Sequence, residues 1–194
     1  MKKISEELSV HFPFQEKWVF TVNMAKESKK VDHTMWSLLS DFTKLEKKER
    51  HFKSSDSYIL ATKLGDLKKI PQTVRMQIVK PLLSYLEKGA PLETDFLDFI
   101  DFSKIESDFA KKVYRKLATS RNGQRFSYGA MAKTAGKSGA ARAVGTLMRK
   151  NPWPLLVPCH RVIQSNGKLG NYSAPLGKEL KSVLWSIENR GEFL

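Results

Sequence analysis

The sequence predicts an α+β fold in two parts, a small mixed α/β domain at residues 1–102 and a mainly helical domain at residues 103–194. Short β-like runs and charges of both signs occupy the first part, whereas segments with helical spacing and basic charge fill the second. The chain has 194 residues, of which 41% are hydrophobic, so it can bury a sizeable core.

Three segments of the N-terminal part carry legible patterns. "KWVFTVN" at residues 17–23 and, more weakly, "SYILATKL" at residues 57–64 are rich in β-branched and aromatic residues and predict strands. "HTMWSLLSDFTKLEKKER" at residues 33–50 predicts a helix with a charged end.

A further helix and a connecting segment precede the second part. "TVRMQIVKPLLSYLEKG" at residues 73–89 predicts a helix that is interrupted at Pro81 and ends at Gly89. Residues 89–105 alternate Asp and Phe, which predicts one buried face along the connection.

The second part opens with a helix. Ser107 is a candidate N-cap, because its hydroxyl can accept from a free backbone N–H of the first turn. Phe109, Val113 and Leu117 follow at helical spacing and predict the buried side of this helix.

Two more helices lie close together in the chain. "SYGAMAKTAG" predicts a helix capped by Ser127 and ended by Gly136, and "GKSGAARAVGTLMRKN" follows after a very short turn. A helix, a glycine-containing turn and a second helix form the helix-turn-helix pattern of DNA-binding proteins.

The second helix of this pair is unusual for a helix that reads bases. Its small residues Ala141, Ala143 and Gly145 surround a single long cation, Arg142. Readout in the major groove usually uses Asn, Gln, Arg or Lys. The segment favours either helix packing through small residues or entry into the minor groove, where an inserted side chain can disturb base stacking.

The basic residues are concentrated in one window. The net charge is +14, and residues 109–178 contain no Asp or Glu, so the excess lies there. A solubilising basic surface is the plain interpretation, but this window indicates a polyanion footprint and most readily a nucleic acid. Its fourteen cations are Lys111, Lys112, Arg115, Lys116, Arg121, Arg125, Lys133, Lys137, Arg142, Arg149, Lys150, Arg161, Lys168 and Lys178.

The chain has one cysteine, Cys159. It can form no internal disulfide, which fits a reducing cytoplasm, and the sequence shows neither a secretory signal nor an apolar run long enough for a membrane span. We therefore expect a cytoplasmic monomer that binds no membrane, and a single cysteine excludes zinc sites that need two.

The surroundings of Cys159 favour a reactive thiol over a buried apolar one. Pro158 precedes it, and His160 and Arg161 follow it. An adjacent imidazole and a positive field both promote the thiolate, which is the nucleophilic form. The basic window indicates that the electrophile belongs to a nucleic acid, and a nucleophile that acts on a base needs that base flipped out of the helix.

Several motifs, taken in order, resemble one known family. "FSYGAMA", "GAARAVGTLMRKNP" and "LLVPCHRVIQSNGKLGNYS" are similar to the corresponding segments of the O6-alkylguanine-DNA alkyltransferases, also called methylated-DNA–protein-cysteine methyltransferases. The resemblance covers residues 107–190. It implies a variable N-terminal domain, commonly ribonuclease H-like, ahead of the helix-turn-helix alkyltransferase domain.

The resemblance also implies catalytic roles. Cys159 would accept the alkyl group from guanine O6, and His160 would deprotonate it through a water molecule. Tyr128 would share a proton with guanine N3. Glu188 would orient the imidazole, as in other nucleophile–base–acid triads, with Glu179 as the competing candidate.

The remaining implied roles concern DNA and the base pocket. Arg142 would fill the vacated stack, and Asn151 would hold the turn between the recognition helix and the active site. The other DNA contacts would come from Ala141, Ala143 and Gly145, and the alkylguanine pocket from Met148, Trp153, Val162, Tyr172 and Ser173. The carbonyls of Cys159 and Val162 would accept from the guanine amine.

The implied function is DNA repair by a single, irreversible transfer of a methyl or larger alkyl group from double-stranded DNA containing O6-alkylguanine. It requires no cofactor and, since the N-terminal part has no cysteine, we expect no metal. Ala174 and Pro175 replace the Gly-Gly that many relatives have after "GNYS", which leaves the size of the accepted alkyl group open. A non-catalytic protein that binds alkylguanine lesions and a helix-turn-helix regulator remain alternatives.

Overall fold

The computed structural model describes most of the chain from Arg75 onward and four strands before it. The described residues are 7–14, 18–25, 31–38, 60–61, 75–92, 94–174 and 177–189.

The N-terminal strands form one antiparallel sheet in the order β3-β2-β1-β4. The strands are β1 at Glu7–Phe14, β2 at Trp18–Ala25, β3 at Val31–Leu38 and the short β4 at Leu60–Ala61. The β1–β2 pair runs without interruption from Glu7 opposite Ala25 to Phe14 opposite Trp18, whereas the β2–β3 register shifts at Asn23/Met24.

The sheet confirms two predicted strands and corrects one predicted helix. The strand expected at residues 17–23 is present as β2, and residues 60–61 of the one expected at 57–64 form β4. The other residues of the second segment lie outside the described residues, as does residue 17. The helix expected from residue 33 is wrong over residues 33–38, which form β3, because pairing with β2 outweighs the helical spacing of the apolar residues. The rest of that segment lies outside the described residues.

The helix expected at residues 73–89 consists of two successive segments with different helical geometry. Arg75–Val79 forms a π-helical turn, and α1 follows at Lys80–Lys88. Pro81 lies just after the junction of the two segments, and because it has no N–H it cannot donate the hydrogen bond that an uninterrupted α-helix would make there. Gly89 ends the helix as predicted with φ of 70°.

Two 3₁₀ helices connect the two parts, at Thr94–Phe99 and Phe102–Lys104. Ile100 and Phe102 are buried in this connection, which agrees with the one buried face that the sequence predicted. The Phe102 ring lies edge-on to Trp153 in the core, with 5.4 Å between the ring centroids.

The first helix of the C-terminal part, α2 at Asp108–Ala118, has the predicted cap. The Ser107 hydroxyl accepts from the Ala110 N–H at 3.3 Å. Val113 and Leu117 are fully buried, so the apolar spacing identified the core side of this helix correctly.

The predicted helix pair is present as α3 at Tyr128–Thr134 and α4 at Ala141–Arg149. The Ser127 hydroxyl caps α3 through the Ala130 N–H at 3.0 Å. Ser127 also belongs to β5 at Phe126–Ser127, which pairs in parallel with β6 at Val162–Ile163. This short ladder holds the start of α3 beside the segment that follows Cys159.

The last helix, α5 at Gly177–Asn189, packs against the segment that carries the cysteine. Leu180, Leu184 and Ile187 turn one side of α5 into the core. Within the described part of the chain, no helix combines the length and apolar character that crossing a membrane requires.

One residue of the sheet connects β3 to the C-terminal part. The Thr34 N–H donates to the carbonyl of Pro152, and its hydroxyl donates to the carbonyl of Pro154, both at 2.8 Å. Thr34 is 4% exposed, so these bonds are shielded from water. They fasten β3 to the turn that leads to Cys159.

Candidate active site

A cavity of about 420 Å³ lies between α4 and the loop that follows β6. Cys159 lies in its wall although the residue is only 3% exposed. The lining residues are Tyr128, Arg142, Gly145, Thr146, Met148, Arg149, Cys159, Asn171, Tyr172 and Ser173. The helix-turn-helix pair and the "GNYS" loop therefore face the same thiol.

The thiol is balanced between burial and polar neighbours. Burial raises the pKa of Cys159, whereas hydrogen bonds from Asn151 and Tyr172 and the positive charge of Lys181 lower it. The net pKa is raised, so the resting thiol holds its proton at neutral pH. A nucleophilic role for Cys159 then needs a base that takes this proton as the reaction begins.

Asn151 fixes the turn that leads to Cys159. Its side-chain amide donates to the Val157 carbonyl at 2.7 Å, and its side-chain oxygen accepts from the Trp153 N–H at 3.0 Å. Leu155 has a positive φ of 66°, a conformation that residues with a Cβ rarely adopt. This strained turn, closed by Asn151, positions the short 3₁₀ helix Cys159–Arg161.

His160 and Glu188 form a buried pair directly beside the thiol-bearing residue. His160 Nε2 lies 2.7 Å from Glu188 Oε1, and both side chains are almost fully shielded from solvent. The Trp185 indole N–H donates to the His160 carbonyl at 3.3 Å, which fixes the backbone at this position. The competing Glu179 lies exposed in the first turn of α5, about 14 Å along the helix axis from Glu188.

Glu188 is also the common acceptor for two arginines. Arg161 donates to both carboxylate oxygens, with its closest contact from Nη2 to Oε1 at 2.8 Å, and Arg125 donates to Oε2 at 2.9 Å. The Gly123 N–H adds a bond to Oε2 at 3.2 Å. Arg161 continues to the Ser120 hydroxyl at 2.8 Å, so the carboxylate is held from several elements.

These contacts fix the protonation states of the pair. Burial alone would raise the pKa of Glu188, but the contacts with His160 and Arg161 outweigh it and hold that pKa well below its usual range. Burial lowers the pKa of His160 in spite of the opposing charge of Glu188. At neutral pH the pair is therefore an anionic carboxylate and a neutral imidazole.

The hydrogen bond to Glu188 selects one tautomer of His160. An ionised carboxylate only accepts, so Nε2 carries the proton and Nδ1 is the basic nitrogen. Nδ1 is buried and has no hydrogen-bond partner among the described residues. The imidazole is thus prepared to accept a proton at Nδ1.

Tyr128 stands at the N-terminus of α3 and lines the cavity, with its hydroxyl close to Gly170 at the start of the "GNYS" loop. Burial first, and then the neighbouring Cys159, raises the pKa of its phenol. Its hydroxyl therefore stays protonated at neutral pH and can donate a hydrogen bond into the cavity.

Lys181 connects the two sides of this region from α5. Its ammonium group donates to the Val162 carbonyl at 2.7 Å and to the Leu169 carbonyl, and the residue is 1% exposed. Burial lowers the pKa of Lys181 to about 8, against the opposing influence of Cys159. A buried cation therefore lies close enough to Cys159 to stabilise its thiolate.

The structure brings most of the predicted site residues together. Cys159, Tyr128, Arg142, Gly145, Met148, Tyr172 and Ser173 line one cavity. Asn151, His160 and Glu188 support it from behind through the bonds given above.

Besides these three, four further predicted residues lie outside the cavity lining. Ala141 and Ala143 belong to α4 but do not line it. Trp153 is only 1% exposed and packs in the core against Phe102 and Tyr114. Val162 is fully buried in β6, and its carbonyl accepts a hydrogen bond from Lys181.

The sequence analysis gave no role to Thr146, Asn171 or Tyr85 and counted Arg125, Arg149 and Arg161 only among the cations, although the structure places all six in or around the site. Thr146, Arg149 and Asn171 line the cavity, and Tyr85, Arg125 and Arg161 contact Glu188. The helical spacing of Arg142, Thr146 and Arg149 could have indicated the first group. Contacts between residues far apart in the chain leave no such pattern.

Most of the basic window is available to a partner. Eleven of its fourteen cations are exposed, whereas Lys111 and Arg125 are half-buried and Arg161 is buried. The exposed Arg142 and Arg149 border the cavity itself. The site therefore combines a thiol in a cavity with a positive rim.

Comparison with known families gives one match, to the DNA-binding domain of 6-O-methylguanine DNA methyltransferase over residues 108–190. This range contains the helix pair, the cysteine and Glu188. It agrees with the resemblance that the motifs indicated.

Curated relatives and solved structures agree with this match. A methylated-DNA–protein-cysteine methyltransferase of Cricetulus griseus is 37% identical over 66% of this chain and 60% of its own length. Its namesake of Mycolicibacterium paratuberculosis is 44% identical over 53% of this chain and 61% of its own length. The matches thus span about three-fifths of these relatives.

The crystal structure of an O6-methylguanine-DNA methyltransferase from Pyrococcus kodakaraensis is similar over 93% of this chain and 98% of that one. Its TM-score is 0.58 and its sequence identity 27%. The mixed α/β architecture of this chain therefore resembles that enzyme along almost its whole length.

Proposed function

Since residues 108–190 match the DNA-binding domain of 6-O-methylguanine DNA methyltransferase, we propose that the chain is a member of this family and repairs DNA by moving the alkyl group of O6-alkylguanine onto Cys159. The observation that carries the proposal is the cavity in which the only thiol of the chain faces the helix-turn-helix pair. The product thioether cannot return to a thiol within this site, so each molecule acts once.

The proposed reaction is a direct displacement. Cys159 Sγ forms a bond to the alkyl carbon while the bond from that carbon to guanine O6 breaks. The electron pair of the broken bond passes into the guanine ring, and Tyr128 supplies a proton at N3. The products are S-alkylcysteine and guanine. The proton that His160 takes from the thiol replaces, through water, the proton that Tyr128 gives up, and the proton on the base moves from N3 to N1, so no net proton is gained or lost.

His160 and Glu188 would remove the thiol proton. The raised pKa of Cys159 makes this step necessary, and His160 Nδ1 is a buried basic nitrogen with no hydrogen-bond partner among the described residues. A bridging water would carry the proton from Sγ to Nδ1, and the anionic Glu188 would stabilise the imidazolium that forms.

DNA would bind through α4 and the basic surface. Arg142 is exposed at the cavity rim, where it can replace the flipped base in the stack. The small Ala141, Ala143 and Gly145 would allow the helix to approach the minor groove, while Met148, Tyr172 and Ser173 would contact the base.

The decisive experiment uses a DNA duplex with a single O6-methylguanine. Incubation with the protein should add one methyl group to the intact protein mass, mapped by peptide sequencing to Cys159. Cys159→Ser should give no mass change while its affinity for the duplex stays within about 2-fold of the wild type.

Two results would count against the proposal. Methylation of Cys159→Ser would place the acceptor elsewhere. Lesion binding by the wild type without any mass change would favour a non-catalytic lesion-binding protein, and a strong preference for one undamaged sequence would favour a regulator.

A further inference from the structure

The Glu188–His160 pair receives a contact from a residue that lies outside the family match. Tyr85 belongs to α1, ahead of residue 108 and ahead of the predicted domain boundary. Its hydroxyl donates to Glu188 Oε1 at 2.9 Å and lies 3.3 Å from His160 Nε2. The tyrosine thus reaches the oxygen that also bonds to the imidazole.

The position of this hydroxyl is firmly determined. Tyr85 is fully buried, and α1 packs against α5, which carries Glu188. A second bridge fixes the same helix end: the Asn122 side-chain amide donates to the Gly89 carbonyl at 3.0 Å. Asn122 in turn accepts from Arg161 Nη2 at 2.8 Å. The end of α1 is therefore tied to the residues that surround the carboxylate.

The donors around Glu188 differ in what they can control. Arg161 and Arg125 hold the carboxylate in place by charge, and Gly123 adds a backbone donor. Tyr85 is an uncharged side-chain donor, and it shares Oε1 with His160. Burial raises the pKa of Tyr85, so its phenol remains a donor at every pH at which the protein would act.

We propose that Tyr85 is a positioning residue of the reaction, which sets the basicity of His160 by sharing Glu188 Oε1 with it. The proposal rests on the proposed function, because it assigns His160 as the base that deprotonates Cys159. It also gives the N-terminal part a direct share in the chemistry of the site.

The direction of the effect follows from the charge on Oε1. Each donor withdraws negative charge from the carboxylate and weakens its stabilisation of the imidazolium. Removing the tyrosine hydroxyl should therefore raise the pKa of His160. Since His160 acts as a base only when it is neutral, the acid limb of transfer should move to higher pH.

The test compares Tyr85→Phe with the wild type in the full chain. NMR titration of the His160 ring, assigned by its loss in His160→Gln, should show a pKa raised by about 0.5 unit or more. The acid limb of methyl transfer from an O6-methylguanine duplex should move by a similar amount. Tyr114→Phe is the matched control, because that buried tyrosine donates to the Leu147 carbonyl at 3.0 Å instead.

A second variant keeps a phenol ring at position 85 and should shift the pKa of His160 in the opposite direction. Ring-fluorinated tyrosine at position 85 is a stronger donor than tyrosine and should lower the pKa of His160. This variant also decides the matter if Tyr85→Phe fails to fold.

The outcomes separate the two proposals. A His160 pKa that stays fixed in the variants, or a shifted pKa with an unmoved transfer profile, would overturn the role of Tyr85. A shifted His160 pKa in a protein that transfers no alkyl group would leave the role of Tyr85 intact and refute the proposed function. The substitutions at position 85 leave the other titrating side chains near the thiol, Lys181, Tyr114 and Tyr128, in place, whereas the control replaces Tyr114.

Discussion

Opposing influences act on the thiol of Cys159. Burial disfavours its thiolate, whereas Asn151, Tyr172 and Lys181 favour it. While Cys159 is protonated, its thiol reacts slowly with other reagents, because the thiolate is the nucleophilic form. The buried cation lowers the free energy needed to form that thiolate when a base takes the proton. The charge of Lys181 should therefore have a measurable effect on the pKa of Cys159.

Replacing Lys181 tests this influence. Lys181→Met removes the cation and should raise the pKa of Cys159 by about one unit. The rate of alkylation by a small haloacetamide, measured against pH, reports this pKa, because the chain contains no other thiol. Lys178→Met is the control, since Lys178 is exposed on the same helix. A thiol pKa that is equal in the two variants would contradict the assignment.

The two candidate acids of α5 can be separated by one pair of substitutions. Glu188→Gln removes the carboxylate from His160 and leaves the buried Arg161 and the half-buried Arg125 without this anion. We expect transfer to fall about 10-fold or more and unfolding to require several kcal/mol less. Glu179→Gln, at an exposed position, should change neither. Single-turnover rates and denaturant unfolding measure both effects, and the reverse pattern would assign the relay to Glu179.

The helices and strands differed in how far the sequence determined them. The caps Ser107 and Ser127 and the stop at Gly89 act within one turn, so their residues identify the element ends directly. β3 was mistaken for a helix because its identity depends on pairing with β2, which local spacing does not encode. Tyr85 and Arg125 were missed for the same reason: both reach Glu188 from distant segments.

Helix α4 contributes space as well as charge. Gly145 lines the cavity, and a Cβ there would find no atom nearer than Tyr128 Cε1 at 3.9 Å. Under the proposed function, a longer side chain would extend into the space that a flipped base would occupy. The packing of the helix itself would accept a Cβ at this position.

Filling this space should block the base but spare the thiol. Gly145→Leu should reduce methyl transfer about 10-fold or more, while alkylation of Cys159 by a small haloacetamide changes by less than about 3-fold. Gly129→Leu makes the same substitution at an exposed position of α3 that does not line the cavity. Equal transfer by Gly145→Leu and the wild type would show that α4 does not border the bound base.

Across the whole molecule, the basic surface and the contacts around Glu188 come from different stretches of the chain. The basic window ends before the acids of α5, so the surface that would face phosphates is separated in sequence from Glu188. The matched segment, residues 108–190, carries the thiol and the proposed base, yet Tyr85 and Thr34 contact it from the preceding part. Motif spacing located the thiol and the cavity wall, whereas the shared support between the two parts depends on tertiary contacts.

The exposed cations should make DNA binding strongly dependent on salt. Each phosphate contact releases condensed counterions, so log affinity should fall linearly with log salt at about 0.9 per contact. Arg149→Ala removes a cation at the cavity rim and should reduce this slope by about one contact. Lys88→Ala removes an exposed cation outside the basic window and should leave the slope unchanged.

Titrations of a fluorescent duplex at several salt concentrations measure both slopes. A nearly flat wild-type plot would refute the polyanion footprint, and equal losses in the two variants would show that the contact surface extends beyond residues 109–178.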